Sequence, residues 1–170
     1  MKISTIPPDD LTRELAVADR DDPVMQNIFL AGGTYTVLLS GAQTGGRYCL
    51  IDMLVPPGGG PPPHRHDFEE MFTILEGEVD LNFRGKTQHA GAGTTVNIPA
   101  NAPHSFKNNS AKVSRMLCMC TPAGQEEYFA VVGDTLPSRT SPPPKLTEAE
   151  RAERGAKAKA LAAKYKTEFI

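Results

Sequence analysis

The chain has 170 residues, of which 39% are hydrophobic, and this is the size and composition of one globular domain with a core of its own. A formal net charge of −2 gives no basic surface for nucleic acid or an anionic membrane, so neither is expected as a partner. No apolar run is long enough to span a bilayer, and residues 1–4 do not resemble the start of a signal peptide. Three cysteines predict no disulfide framework, so we expect reduced thiols in a cytoplasmic protein.

Residues 1–23 are predicted to form an N-terminal arm, because they are polar and contain Pro7, Pro8 and Pro23. Two alternatives fit this segment. It could form a short helix over residues 11–18, or an extended arm that pairs with another subunit. The second alternative predicts a homodimer, in which the arm covers a sheet edge of the partner.

Residues 24–136 contain a series of short strand-like segments. The alternation is clearest from Glu78 to Phe83, where Val79 and Leu81 share one face with Phe83. No internal repeat is visible, so we expect a single barrel. Further strands are predicted at residues 35–40, 47–55, 94–98 and 113–121, and a glycine-rich turn at 41–46.

Residues 137–170 are predicted to form a proline-rich linker followed by a C-terminal helix. Thr147 and Glu150 have the spacing of a capping box, and the helical composition continues to about Tyr165. A weak apolar stripe would let this helix dock on the barrel or on a partner subunit. The stripe consists of Ala152, Ala156, Ala160 and Ala163.

Two motifs contain three of the four histidines. They are Gly58-x5-His64-x-His66-x3-Glu70-x6-Gly77 and Gly93-x5-Pro99-x-Asn101-x2-His104-x3-Asn108. Side chains of equal parity share one face of a strand, so His64 and His66 project together, and Glu70 can join them after a bend at 67–69. His104 must come from a distant strand. Three imidazoles and a carboxylate suit Fe, Mn, Ni, Co, Cu or Zn better than Ca or Mg, so we expect one divalent transition metal ion.

Other residues with metal-binding chemistry fit the motifs less well. Cys118 and Cys120 lie on one face of a predicted strand, but neither has a recognised ligand spacing. His89 lies outside both motifs and is predicted to be an exposed or edge residue. The thiols are therefore an alternative to the histidine site, and His89 is not a candidate ligand.

The motif pair resembles that of the cupin superfamily. Nine of the ten specified positions match, and the exception is Asn101, where the family usually has glycine. Asparagine tolerates the left-handed conformation, so the turn can be kept. The resemblance implies an all-β fold, a single cupin antiparallel β-barrel (double-stranded β-helix or jelly roll) with a C-terminal helix. It also implies four metal ligands: His64, His66, Glu70 and His104.

Segments outside the motifs resemble single-domain quercetinase-like cupins. These segments are residues 44–46, 55–66, 122–129 and the helix end at Lys164-Tyr165. The activity of that family is dioxygenation of a flavonol with ring cleavage and release of carbon monoxide. The resemblance implies a metal-dependent dioxygenase of small enolic or aromatic compounds, with a small-molecule substrate and dioxygen as partners. A non-redox isomerase or lyase is the alternative enzyme, and a small-molecule-binding or regulatory cupin without catalysis is the third class.

Residues on the same strand faces as the candidate ligands are predicted to line a substrate pocket. For each of them, packing in the core is the alternative. Because these positions include no lysine or arginine, phosphosugar isomerase chemistry is disfavoured. Glu70 is also predicted to be the catalytic base, since desolvation raises its proton affinity while a metal's charge lowers it. The predicted wall residues are Phe72, Ile74 and Phe106, with Val96 and Ile98 as further candidates.

Overall fold

Two antiparallel sheets face each other in the computed structural model, which describes residues 6–170. The strands are β1 (Gln26–Leu30), β2 (Gly33–Leu39), β3 (Cys49–Val55), β4 (His64–His66), β5 (Glu69–Glu76), β6 (Glu78–Phe83), β7 (Lys86–Gly91), β8 (Thr95–Ile98), β9 (His104–Lys107), β10 (Ser114–Thr121), β11 (Asp134–Leu136) and β12 (Thr167–Phe169). One sheet has the order β11-β1-β2-β3-β10-β5-β8, and the other has the order β12-β4-β9-β6-β7. The predicted all-β antiparallel fold is confirmed.

The core lies between the sheets and follows the period of two that strands impose. In β10 every second side chain is fully buried, including Met116, Cys118 and Cys120, while the residues between them are partly exposed. Phe72 and Ile74 of β5 belong to the same core. Each large apolar side chain buried in this way contributes about 1.5–3 kcal/mol of transfer free energy, which favours this register over a one-residue slip.

Three helices in residues 6–170 accompany the barrel: α1 (Gly41–Thr44), α2 (Gln125–Val132) and α3 (Glu148–Ala162), which continues into a 3-10 turn at Ala163–Tyr165. The predicted turn at 41–46 thus contains one helical turn. The capping box of α3 is confirmed, because Thr147 Oγ1 accepts from the Glu150 amide and the Glu150 carboxylate accepts from the Thr147 amide. Within the described residues, no helix is long and apolar enough to cross a membrane.

The face that α3 presents to the barrel differs from the predicted one. Ala158, Leu161 and Ala162 face inward, and the Tyr128 hydroxyl of α2 donates to the Ala158 carbonyl at 2.8 Å. Leucine and tyrosine bury more apolar area than alanine, so Leu161 and Tyr165 orient the helix rather than the alanine repeat. The predicted stripe does not dock on the barrel, since its four members are exposed in the single chain: Ala152, Ala156, Ala160 and Ala163.

The N-terminal arm contains no helix between residues 11 and 18, so the helical alternative for this segment is wrong. Its apolar side chains extend into solvent, with exposed fractions of 85% for Leu11, 88% for Leu15 and 81% for Val17. An isolated short amphipathic helix with no apolar surface to cover is marginal in water, which accounts for the extended form. Residues 1–5 of the predicted arm lie outside the described residues.

Three strands were not anticipated from the sequence, namely β1, β11 and β12. The most consequential is β12, because it pairs with β4 at the edge of the five-stranded sheet and places Thr167 opposite His66. Arg65 and Glu168 form an ion pair across this edge. β11 and β12 have three residues each, too few for a periodic pattern, so sequence alternation could not indicate these two strands. The chain after α3 therefore covers the strand that carries two candidate ligands.

Candidate metal centre and cavity

Four buried side chains meet between the two sheets. His64 and His66 lie on β4, and His104 lies on the neighbouring β9 directly opposite His64. Glu70 comes from β5 in the facing sheet. The ligand atoms of all four residues lie within 4.8 Å of one another, and the residues are 2–7% exposed. The fold thus brings together all four residues singled out by the two motifs.

Backbone carbonyls fix the orientation of the three imidazoles. A carbonyl oxygen can only accept, so each Nδ1 carries the proton and each Nε2 presents its lone pair to the centre of the cluster. Partners of this kind are characteristic of metal-ligating histidines. Nδ1 of His64 donates to Pro62 O at 3.0 Å, that of His66 to Phe68 O at 2.9 Å, and that of His104 to Ala102 O at 2.9 Å.

The separations of the ligand atoms fit a single transition metal ion. Nε2 of His66 and Nε2 of His104 each lie 3.1 Å from Oε2 of Glu70. Neighbouring ligands around an ion with bonds of about 2.0–2.2 Å and near right angles are about 3 Å apart. Four protein ligands would leave further positions open on a five- or six-coordinate ion, and chemistry at the ion needs such positions.

The pKa shifts within the cluster favour the protonation states that bind a metal, a neutral imidazole for His64 and a carboxylate for Glu70. Burial and the neighbouring His104 lower the pKa of His64 to about 4, so this imidazole is neutral. Burial by itself raises the pKa of Glu70, but hydrogen bonds with His104 and His66 outweigh it and leave that pKa below its usual value. Burial likewise opposes the charged form of His104, yet the Glu70 carboxylate raises the pKa of His104 overall. Without a metal, a proton can therefore lie between His104 and Glu70.

Local backbone conformation positions the second motif. Asn101 has a φ of 67°, and its amide donates to the His66 carbonyl at 2.7 Å, which joins the turn before His104 to β4. The left-handed conformation that was expected for Asn101, where the family usually has glycine, is confirmed. Gly60 has a φ of 136°, and a Cβ there would overlap the Phe106 carbonyl oxygen of β9. The glycine- and proline-rich segment before β4 can therefore pack directly against β9.

Two thiols lie beside the carboxylate of the cluster. Sγ of Cys118 is 3.3 Å from Oε1 of Glu70, Sγ of Cys120 is 3.8 Å from it, and the two sulfurs are 3.7 Å apart. A hydrogen bond with Cys120 lowers the pKa of Cys118, but burial and the Glu70 carboxylate raise it to about 12 overall. Hydrogen bonds with Cys118 and Cys49, together with burial, likewise raise the pKa of Cys120, so both thiols are neutral without a metal. Because a thiol must lose its proton to ligate, the imidazole set is favoured over the thiols.

Known proteins with the same features support the assignment of the fold. Residues 51–120 match the family model of the cupin domain, and this segment contains both histidine motifs. Residues 51–120 therefore form a domain of the cupin superfamily. This cupin is 41% identical to the HTH-type transcriptional regulator PuuR of Escherichia coli (strain K12) over 58 residues, which are 34% of the chain and 31% of the regulator. It is 28% identical to quercetin 2,3-dioxygenase of Bacillus subtilis (strain 168) over 128 residues, 75% of the chain and 37% of that enzyme.

The cupin therefore spans about a third of the length of these curated relatives. Among solved structures, it is similar to the polyketide cyclase RemF from Streptomyces resistomycificus, with a TM-score of 0.57 and 24% identity over 64% of the cupin and 80% of RemF. At this identity the similarity concerns the fold, and it agrees with the two antiparallel sheets described above.

A cavity of about 520 Å³ lies between the mouth of the barrel and helices α2 and α3. His64 and Glu70 reach its floor, and Phe106 lines it next to them. Phe72 and Ile74 do not line the cavity. They are buried in the core, where the Phe72 ring meets the Phe106 ring edge-on at 5.3 Å. The alternation of side chains along a strand predicts which residues point into the barrel. It does not predict which end of the barrel contains the cavity.

The remainder of the cavity wall comes from segments that the motifs do not include. Arg151, Arg154 and Lys159 of α3 also line the cavity, and Arg154 pairs with Asp134 at 2.8 Å. The wall positions inferred from the sequence contain no cation, but the cavity as a whole does, because its wall extends beyond the barrel strands to α3. Most other wall residues are apolar and were missed because β1, α2 and β12 lie far from the motifs in sequence. Aromatic examples are Phe29, Tyr35, Tyr128, Phe129 and Phe169.

Proposed function

We propose that this cupin is a metal-dependent dioxygenase of small enolic or aromatic compounds. In this proposal one divalent transition metal ion (Fe, Mn, Ni, Co, Cu or Zn) is held by His64, His66, Glu70 and His104. The proposal is carried by the convergence of these ligand atoms at the floor of a largely apolar cavity. Its volume lies within the range of about 300–1,000 Å³ that is typical of small-molecule sites. Similarity to quercetin 2,3-dioxygenase over three quarters of the chain supports this reaction class.

Glu70 is assigned two roles in this proposal, metal ligand and general base. When bound, any of these metals would supply positive charge beside the carboxylate, and all of them except Zn would also supply redox capacity. Oε2 of Glu70 faces His66 and His104, while Oε1 faces the thiol of Cys118. The carboxylate accepts the proton of an enolic hydroxyl and leaves an electron-rich anion in the cavity. Proton transfer to a positioned base contributes typically about 10²–10⁴ in rate.

The wall beside Glu70 suits a flat aromatic substrate. Phe106 supplies an apolar face at the floor, and Tyr35 lines the cavity as well. Burial, together with Cys118 and the Glu70 carboxylate, raises the pKa of Tyr35, so its hydroxyl stays protonated and does not compete as a base. Exclusion of water by these rings strengthens the interaction of Glu70 with a substrate proton.

Metal analysis combined with oxygen uptake tests the proposal. Purified protein is analysed for its metal by mass spectrometry, loaded to one equivalent, and supplied with a panel of flavonols and other enolic aromatic compounds in an oxygen electrode. We expect oxygen consumption equal to the loss of one of these substrates. Turnover without oxygen uptake would instead indicate an isomerase or lyase. Ligand retention without turnover would indicate a binding or regulatory cupin.

We further propose that the cupin is a homodimer whose N-terminal arm contacts the partner. Leu11, Leu15 and Val17 are exposed in the single chain, and such a row of apolar side chains is stabilised when another surface covers it. The guanidinium of Arg13 donates to the Gln43 carbonyl at 3.1 Å, so the arm is fixed next to α1. This contact would direct the apolar residues of the arm toward a second copy.

The cytoplasm is the compartment that we propose for this cupin. Cys49, Cys118 and Cys120 are all free and buried, and the last two have their sulfurs only 3.7 Å apart without a bond. Disulfides persist in oxidising compartments and are rare in the cytoplasm. Three free thiols are therefore consistent with a reducing environment.

A further inference from the structure

One residue of the cavity wall has a polar side-chain atom without a partner in the described part of the chain. The side-chain oxygen Oε1 of Gln125 is buried, and among residues 6–170 nothing hydrogen-bonds to it. Gln125 as a whole is only 4% exposed. A buried amide oxygen that has lost its hydration and gained no donor is destabilising, and such groups are uncommon in native proteins. This position therefore requires an explanation.

The surroundings of Gln125 indicate what kind of partner is missing. Gln125 is the first residue of α2, and it lines the same cavity as His64 and Glu70. Neighbouring wall residues include Tyr35 and Phe129, whose rings pack 5.2 Å apart. The charged wall residues Asp134 and Arg154 satisfy each other, whereas Gln125 does not share in any such pair. Because Gln125 lines the cavity, a hydroxyl group of a molecule bound there is the candidate donor for its amide oxygen.

We propose that Gln125 is a substrate-binding residue that accepts a hydrogen bond from a hydroxyl group of an aromatic substrate. This inference rests on the proposed function and narrows its substrate class. The hydroxyl that meets Gln125 is separate from the enolic hydroxyl that meets Glu70, so the substrate carries at least two hydroxyl groups on an apolar framework. Gln125 fixes the orientation of that framework, and Glu70 acts on its reactive end.

Replacement of Gln125 by leucine separates a binding role from a structural one. If Oε1 has no partner in the free protein, Gln125→Leu removes an unsatisfied polar group and fills the same space with apolar atoms. Thermal stability should then stay the same or rise, while binding of hydroxylated ligands falls. A glutamine that held the fold together would give the opposite result for stability. The melting temperature is therefore a readout that does not depend on activity.

Calorimetric titration with monohydroxyflavones tests the proposal. The probes are 6-, 7- and 4′-hydroxyflavone and their methyl ethers, which lack the enolic 3-hydroxyl. Binding of these probes does not depend on turnover, so a failed oxygen-uptake experiment leaves this test intact. The metal-loaded wild type is compared with Gln125→Leu and with the control Gln88→Leu. Gln88 is exposed on β7 and does not line the cavity.

We expect the wild type to bind at least one hydroxyflavone about threefold to tenfold more tightly than its ether, the range of a single net hydrogen bond. This selectivity should vanish in Gln125→Leu and persist in Gln88→Leu, as a double-mutant cycle requires for a direct contact. Absence of selectivity for all three pairs in the wild type would overturn the proposal. Selectivity that survives in Gln125→Leu would also overturn it, as would a lower melting temperature of that variant.

Discussion

Nε2 of His104 lies 3.1 Å from Oε2 of Glu70, although the two residues are 34 positions apart and belong to different sheets. The contact exists only when the two sheets have closed on each other. His66 on β4 makes the equivalent contact at the same distance. At the proposed site, metal binding would therefore be linked to closure of the barrel, because the unfolded chain contains no preformed site.

Replacing His104 by alanine should sharply reduce the metal content of the purified protein. His104 is the only ligand from the second motif, and its loss removes the imidazole of β9 from the cluster. Metal content is measured by mass spectrometry after dialysis. His89→Ala is the matched control, because this histidine is exposed on β7 and pairs with Asp80 instead. Stoichiometric metal in His104→Ala would contradict the ligand assignment.

Metal affinity should fall as the pH is lowered through the histidine range, because neutral imidazole is the ligating form. Glu70 raises the pKa of His104, so protonation of His104 competes with the metal at a higher pH than an ordinary histidine would. His64, with a pKa of about 4, stays neutral over the same range. Titration of the metal-loaded protein with a chelator at several pH values measures the effect. An affinity that is constant from pH 8 to pH 5 would speak against histidine ligation.

Glu70→Gln should lower turnover by about 10²–10⁴ while a substantial part of the metal stays bound. Glutamine keeps the shape of the side chain and a weak oxygen ligand but cannot accept the substrate proton. Glu76→Gln is the control, since Glu76 ends the same strand and pairs with Arg115 at 3.3 Å, away from the cluster. Full activity of Glu70→Gln at full metal loading would show that Glu70 is not the base.

The candidate ligands could be predicted from the sequence because their geometry is encoded in local parity. His64 and His66 are two positions apart on one strand, so they share a face whatever the remainder of the fold does. The conformation of Asn101 also follows from its residue type and is found in the structure. These features depend on few neighbours, which is why residue spacing alone indicates them.

The cavity could not be predicted in the same way, because it depends on packing between distant segments. Phe72 has the parity of a wall residue but lies in the core, while Gln125 and Tyr128 of α2 line the cavity. The docked face of α3 is set by Leu161 and not by the alanine repeat. The similarity of residues 122–129 to quercetinase-like cupins was the one sequence signal near Gln125, and it gave no role for this residue.

Asp52→Ala should lower the free energy of unfolding by about 3–5 kcal/mol, the range for removing one partner of a buried ion pair. The Asp52 carboxylate of β3 is completely buried between Arg115 at 2.7 Å and Arg139 at 2.8 Å. Its removal would leave two largely buried guanidinium groups with only the exposed carboxylates of Glu76 and Asp21 as charge partners. Urea unfolding measures the change, with Glu127→Ala at an exposed position of α2 as control. A loss below about 1 kcal/mol would show that the arginines find other partners.

Light scattering at micromolar concentration should give a mass of twice the 18.3 kDa of the chain. In the proposed homodimer the partner covers Leu11 and Leu15, so the double substitution Leu11→Asp and Leu15→Asp should produce the monomer by placing two charges in an apolar interface. Val113→Asp is the control, because Val113 is also exposed but lies outside the arm, immediately before β10. A monomeric wild type would refute the homodimer. A dimer that survives the double substitution would exclude the arm from the interface.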